Sequence, residues 1–257
     1  MKLKELLQIR KGDIISIVGA GGKTTLMFSL GEELREESKV LVTTTTKIYH
    51  PRKHQFDFIA IDKADFSKHN NKNYKGIYIY GSGINNEKKL VGLSCELLEE
   101  QTPYFDYILV EADGSKEKSI KGWKDNEPVI SNKTNKTIGV LNIQAIGQEI
   151  NNDNIHRLKE FIDITNSCEG ELISIENIIL LIFHHKGLFK NSLGDRILFI
   201  NKVESKEDMI LANKLLTRIF EENNKYIKKI VLGSLKTKNI WEGIYNIKKV
   251  EGGSEDD

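Results

Sequence analysis

Three clusters of residues in this chain have the types and the spacing to handle phosphate. The first is Gly19-Ala20-Gly21-Gly22-Lys23-Thr24-Thr25, which follows the apolar run Ile14-Ile15-Ser16-Ile17-Val18. Glycines let backbone N–H groups approach phosphate oxygens, a lysine can reach the β and γ phosphates, and a hydroxyl can ligate Mg²⁺. Lys23 is therefore the expected phosphate cation and Thr24 the expected metal ligand. The strict spacing G-x-x-x-x-G-K-[ST] would require a first glycine at position 17, where this chain has Ile17. The second cluster is Glu111-Ala112-Asp113-Gly114, at the end of the apolar run Tyr107-Ile108-Leu109-Val110. Glu111 or Asp113 could hold Mg²⁺, directly or through water, or could position an attacking water, and Gly114 would let the backbone approach a γ phosphate. A solvated turn after a core strand is the alternative. The third cluster is Thr43-Thr44-Thr45-Thr46-Lys47. This run could supply a Mg²⁺ ligand or sense the γ phosphate, and the sequence does not single out which threonine does so; Thr45 is taken as the candidate ligand, against a purely structural set of strand threonines.

These residues need strands that deliver them and helices that cover the strands. β-rich runs at 14–18, 39–43, 58–61, 76–80, 106–111, 136–141, 196–201 and 229–233 alternate with helical patterns at 24–37, 92–101, 155–162 and 206–222. Such alternation predicts an α/β fold, a mostly parallel sheet flanked by helices on both faces. The helix after Thr24 would add its N-terminal dipole to the anion site. Residues 1–250 read as one domain with insertions at about 62–75 and 113–135, and the acidic segment 251–257 reads as disordered. The 113–135 insertion follows directly on the carboxylate strand, where long loops of α/β proteins carry function.

Composition narrows the partners. The 257 residues contain 38 Lys+Arg against 37 Asp+Glu, a balance that argues against nucleic acid as the main partner. No apolar run reaches the roughly 18 residues of a membrane span, the nearest being Ile178-Ile179-Leu180-Leu181-Ile182-Phe183, a buried strand or helix segment. Two cysteines, Cys95 and Cys168, are too few for a disulfide framework, and the N-terminus lacks a signal-peptide pattern, so a cytoplasmic location is expected.

Farther along, Asn201-Lys202-Val203-Glu204 follows the run Arg196-Ile197-Leu198-Phe199-Ile200. It resembles the N-K-x-D base-recognition element of GTPases with glutamate for aspartate, and one extra methylene could retain, relax or abolish a guanine contact. Val231-Leu232-Gly233-Ser234 resembles the last strand and loop that close over a purine in the same proteins. Asn201, Lys202, Glu204 and Ser234 are therefore the expected base-side residues. His156-Arg157 and His184-His185-Lys186-Gly187 could bind an anion, a metal or a partner. Adjacent histidines share neither a helix face nor a strand face, which disfavours joint metal binding.

The shortened G-x-x-G-K-T-T turn resembles the loops of Mur ligases, whose first glycine is displaced in the same way. The ordered set of Val18 to Thr25, Thr43 to Lys47, Val110 to Ser115, Glu127-Pro128-Val129-Ile130 and Asn201 to Glu204 resembles the YqeC family over about residues 12–235. That resemblance implies a P-loop NTPase serving as an accessory or maturation factor for selenium-dependent molybdenum hydroxylases. It implies Mg²⁺ and a nucleoside triphosphate, GTP or ATP, as cofactors. A client hydroxylase or a cofactor precursor would be the partner, and a homodimer across the nucleotide face is common in the resembling class. Transfer to a cofactor precursor and nucleotide-gated binding without turnover are the competing activities.

Overall fold

The structure is a computed structural model, and it describes residues 2–223 and 225–242; the tail expected at 251–257 lies outside the described residues. Fourteen strands are formed by the described residues: β1 Ile14–Gly19, β2 Lys39–Thr44, β3 Lys47–Tyr49, β4 Phe58–Ala60, β5 Gly76–Tyr80, β6 Gly83–Ile84, β7 Lys89–Val91, β8 Tyr107–Glu111, β9 Ile120–Lys121, β10 Lys136–Asn142, β11 Ile155–His156, β12 Asp195–Asn201, β13 Lys229–Ser234 and β14 Asn239–Glu242. Between them run the helices α1 Leu3–Leu6, α2 Lys23–Leu34, α3 Lys63–Asn70, α4 Cys95–Gln101, α5 Leu158–Thr165, α6 Ile175–Phe183 and α7 Lys206–Asn223.

Nine strands form one sheet in the order β14-β13-β12-β10-β1-β8-β2-β5-β4. Every neighbouring pair is parallel except β13 and β14. Such a sheet needs cover on both faces, and the alternation of its side chains supplies it. Ile15, Ile17, Val40, Val42 and Ile138 pack with α1 and α2 on one face. Val18, Leu141, Leu198 and Ile200 face α5, α6 and α7, while Leu41, Tyr78 and Val110 face α3 and α4 on that same second side. The expected α/β architecture with helices on both faces is what the chain adopts.

The chain lays out β2, β5 and β4 on one side of β1, returns through β8 beside β1, and then builds β10, β12 and β13 on the other side. The carboxyl ends of β1, β8, β10, β2 and β12 thus open on one crevice at a reversal of strand order, the place where α/β sheets bind ligands.

Two local readings change and a third, left open between strand and helix, is resolved. The 62–75 stretch is not simply a polar interruption: Asp62 caps α3 by accepting from the Asp65 N–H at 2.9 Å, and its one buried residue, Phe66, stacks on Tyr80 at 4.3 Å. One aromatic anchor holds a helix whose remaining faces are solvated. The helix expected from 155 begins only at Leu158, because Ile155–His156 pairs with Ile120–Lys121 as a short parallel ribbon. The apolar run at 178–183 lies in α6, started by Ser174, whose hydroxyl accepts from the Asn177 N–H.

Candidate functional site

The glycine loop is fixed by close approach. Gly19 has φ +101°, and a Cβ there would lie 2.2 Å from the Val140 carbonyl oxygen. Gly22 has φ +141°, and a Cβ would lie 2.3 Å from Asn201 Nδ2. Neither place admits a side chain.

Lys23 begins α2 and is 3% exposed. Its Nζ donates to the Gly19 carbonyl at 2.6 Å and sits 3.2 Å from Asp113 Oδ1 and 3.8 Å from Glu111 Oε1. Glu111 is the last residue of β8, and its Oε2 accepts from Thr24 Oγ1 at 2.6 Å. Asp113, fully buried, accepts at Oδ2 from the Gly19 N–H at 3.1 Å and from Trp123 Nε1 at 2.7 Å. The ammonium of Lys121, also fully buried, lies 3.2 Å from the same oxygen and donates to the Gly114 carbonyl at 2.7 Å. Asp113 Oδ1 has no hydrogen-bond partner beyond its ion pair with Lys23. From Lys121 the charges continue through Glu127 at 3.4 Å to Arg157, 2.9 Å from the other Glu127 oxygen.

The two carboxylates titrate in opposite directions. Burial dominates at Glu111 and pushes its carboxyl above the ordinary range, with Lys23 and the Thr24 hydroxyl offsetting only part. At Asp113 burial also acts upward, but Lys23, Lys121, the Gly19 N–H and Trp123 together outweigh it and hold the group below the ordinary range. Environments that separate two neighbouring carboxyls in this way give them different chemical roles.

The remaining expected residues are close by. Ala20 is buried beside Gly19, its N–H donating to Val140 at 3.1 Å; Gly21 is half-buried and Thr25 exposed. Thr44 donates to the Glu111 carbonyl at 2.6 Å, the Thr45 N–H donates to the same oxygen at 3.1 Å, and Thr45 Oγ1 donates to Val129 at 2.8 Å. The threonine run therefore stitches β2 to the end of β8. Asn201 Nδ2 donates to the Gly21 carbonyl at 2.8 Å, and Asn201 Oδ1 accepts from the Leu235 N–H at 3.3 Å. Lys202 follows with φ +64°, and Ser234 donates to Glu204 Oε1 at 2.8 Å.

Among the described residues no group of three or more His, Cys, Asp or Glu could hold a metal ion. Thr24 Oγ1 and Glu111 Oε2 are nonetheless a hard, all-oxygen pair of the kind Mg²⁺ takes when phosphates and water complete its shell. His184 and His185 lie side by side, ring centroids 4.3 Å apart, and with Trp123 and Lys186 border a cleft of about 710 Å³ away from the glycine loop.

Lys121 and Trp123 carry no motif, Glu127 and Arg157 were singled out only within Glu127 to Ile130 and His156-Arg157, and sequence reasoning gave none of the four a place around Asp113. A tryptophan and an isolated lysine inside a loop of few periodic apolar residues were the available signal. His156 belongs to the same neighbourhood: burial first, then Lys121 and Arg157, push its imidazole down from 6.5 to about 4. The unfolded chain therefore binds the extra proton between these values, so His156 costs stability as pH falls through that window. Replacing His156 with glutamine is expected to flatten the pH dependence of the urea midpoint between about 4 and 6.5; an unchanged slope would refute the assignment.

A mostly parallel sheet whose first strand runs into a glycine turn and a helix, with one carboxylate ending the adjacent strand and another two residues past it, is an α/β architecture consistent with a P-loop-like fold. The family described as "YqeC protein" matches residues 15–159. A protein of Escherichia coli (strain K12) described as "Uncharacterized protein YqeC" is 32% identical over 212 residues, 80% of this chain and 82% of that one. The chain belongs to the YqeC family. No solved structure matches it. Among the described residues no helix is long and apolar enough to cross a membrane.

Proposed function

We propose that this protein is a Mg²⁺-dependent nucleoside triphosphatase, using ATP or GTP, that serves the maturation of selenium-dependent molybdenum hydroxylases. The carrying observation is Lys23, at the N-terminus of α2, held between Glu111 and Asp113 with Thr24 bonded to Glu111. In this reading Lys23 exchanges its carboxylates for the β and γ phosphates, which the Gly19 to Thr25 backbone receives. Thr24 and Glu111 would hold Mg²⁺, which neutralises charge on the β and γ oxygens. Asp113 Oδ1, relieved of Lys23, accepts a hydrogen bond from the attacking water and orients it. The water oxygen bonds to the γ phosphorus, the bridging P–O bond breaks, the nucleoside diphosphate leaves, and the water proton ends on inorganic phosphate. The client side of the proposal is supported by the family resemblance alone.

Phosphate release from ATP and GTP, measured with Mg²⁺ and again after chelation with EDTA, tests this. Turnover should fall by about 100-fold or more on chelation. Equal turnover in EDTA would remove the metal from the scheme, and no release under either condition would remove hydrolysis. One observation favours transfer as a second reading: the cleft beside Trp123 is large enough for a small acceptor. Nucleotide consumption that requires an added acceptor, with the phosphoryl or nucleotidyl group recovered on that acceptor and the nucleoside diphosphate or pyrophosphate released in place of inorganic phosphate, would select it.

A further inference from the structure

A second cleft, of about 520 Å³, begins at Thr24 and Thr25 and runs along the outer face of α2. Its apolar walls are Leu3, Phe28, Leu235 and Ile240. Leu235 is buried, and Phe28 and Ile240 are half-buried against the core shared by α1 and α2. The acidic residues on its lining are already engaged: Glu33 accepts from the Leu3 and Lys4 N–H groups, each at 2.9 Å, and Glu32 pairs with Arg35 at 2.7 Å. The Glu33 bonds also pin the N-terminal turn of α1 over the cleft. What remains is a slot of nucleoside size with this apolar side and a polar edge of Ser29, His54, Gln55 and Lys238, reaching the end where the glycine loop stops.

We infer that this cleft holds the nucleoside of the bound triphosphate, its base lying against Phe28, Leu235 and Ile240. The inference rests on the nucleotide reading above and extends it to the part of the ligand the phosphate site does not touch. Continuity carries it: a triphosphate seated on Lys23 and Thr24 directs its next group past Thr25, and this cleft opens there. Asn201, Lys202 and Glu204 do not line it. Asn201 has both ends of its carboxamide committed, to the Gly21 carbonyl and to the Leu235 N–H, so it sets the spacing between the glycine loop and one wall of the slot. Glu204 is bonded to Ser234. Apolar stacking accepts either purine, so ATP and GTP should bind alike.

The test compares Mg²⁺-tripolyphosphate with Mg²⁺-ATP and Mg²⁺-GTP by calorimetry on wild type, Ser29→Trp, which fills the slot, and Phe28→Ala, which removes one wall. Melting scans confirm that each variant is folded. Both nucleotides should bind at least about tenfold more tightly than tripolyphosphate in wild type. Ser29→Trp should erase that advantage while tripolyphosphate binding stays, and Phe28→Ala should shrink it. A nucleotide advantage that survives Ser29→Trp but disappears in Glu204→Gln would overturn the inference and return base contact to the 201–204 segment. Failure of tripolyphosphate and both nucleotides to bind wild type would instead overturn the phosphate reading beneath it.

Discussion

Replacing Lys23 with methionine is expected to weaken Mg²⁺-ATP and Mg²⁺-GTP binding by roughly 100-fold or more, the worth of a charge-assisted contact to phosphate. Methionine keeps the apolar stem and removes only the ammonium, the group 3.2 Å from Asp113 and 3.8 Å from Glu111. Two effects coincide in this variant. The phosphates lose their cation, and Glu111, already pushed toward its neutral form by burial, loses its nearest positive charge and becomes harder to ionise. Turnover should therefore fall further than binding, by about another 100-fold at saturating nucleotide. Calorimetric titration and steady-state phosphate release on the same preparations separate the two losses. Wild-type affinity in a folded variant would take Lys23 out of the phosphate site.

The second large effect is on stability. Asp113→Asn should lower the unfolding free energy by about 3–5 kcal/mol, because breaking a buried ion pair strands the charges left behind. Two buried ammonium groups, Lys23 at 2% and Lys121 at 0% side-chain exposure, lose their nearest carboxylate here and keep only a more distant one each, Glu111 at 3.8 Å and Glu127 at 3.4 Å. The amide can still accept from the Gly19 N–H and from Trp123, so the loss is chiefly electrostatic. The sign with pH follows from the direction of the shift. Asp113 titrates below its ordinary value of 3.8, so its contribution is complete above that value and is lost as pH falls through the folded one. Urea unfolding at neutral pH should show the deficit, and a series of acid pH values should show wild type and variant converging. Equal midpoints at neutral pH would mean that the buried lysines find other partners.

The sheet was largely legible because its strands are buried on both faces and read as short apolar runs. Ile14–Gly19, Lys136–Asn142 and Asp195–Asn201 all fall within a residue of the expected spans. The glycine turn, Lys23, Thr24 and the carboxylates were legible because each sits within a few residues of the end of such a strand. Other features escaped for identifiable reasons. Helix α6 was legible only as a buried segment, strand or helix, because six consecutive apolar residues have no period by which to tell the two apart. The ribbon of Ile120–Lys121 with Ile155–His156 has only two residues a side and depends on pairing across the fold. Lys121 is the sharpest case. A lysine inside a loop reads as solvated surface, and it takes the Asp113 carboxylate, the Gly114 carbonyl, Glu127 and the Trp123 ring to make its burial tolerable.

The placing of β1 between β8 and β10 also dictates when the centre of the molecule can form. The Ile14 N–H bonds to the Asn135 side chain, 121 residues along the chain, and β1 pairs with two strands that are both made much later than itself. As the chain leaves the ribosome, the first strand and its glycine turn therefore wait without hydrogen-bonding neighbours while β2 to β7 are synthesised. Closing so long a loop delays productive pairing, and a structure rich in such pairings folds slowly. Until residue 142 has emerged, one edge of Ile14–Gly19 lacks its partner strand, and an apolar edge left open is a site that a chaperone would protect.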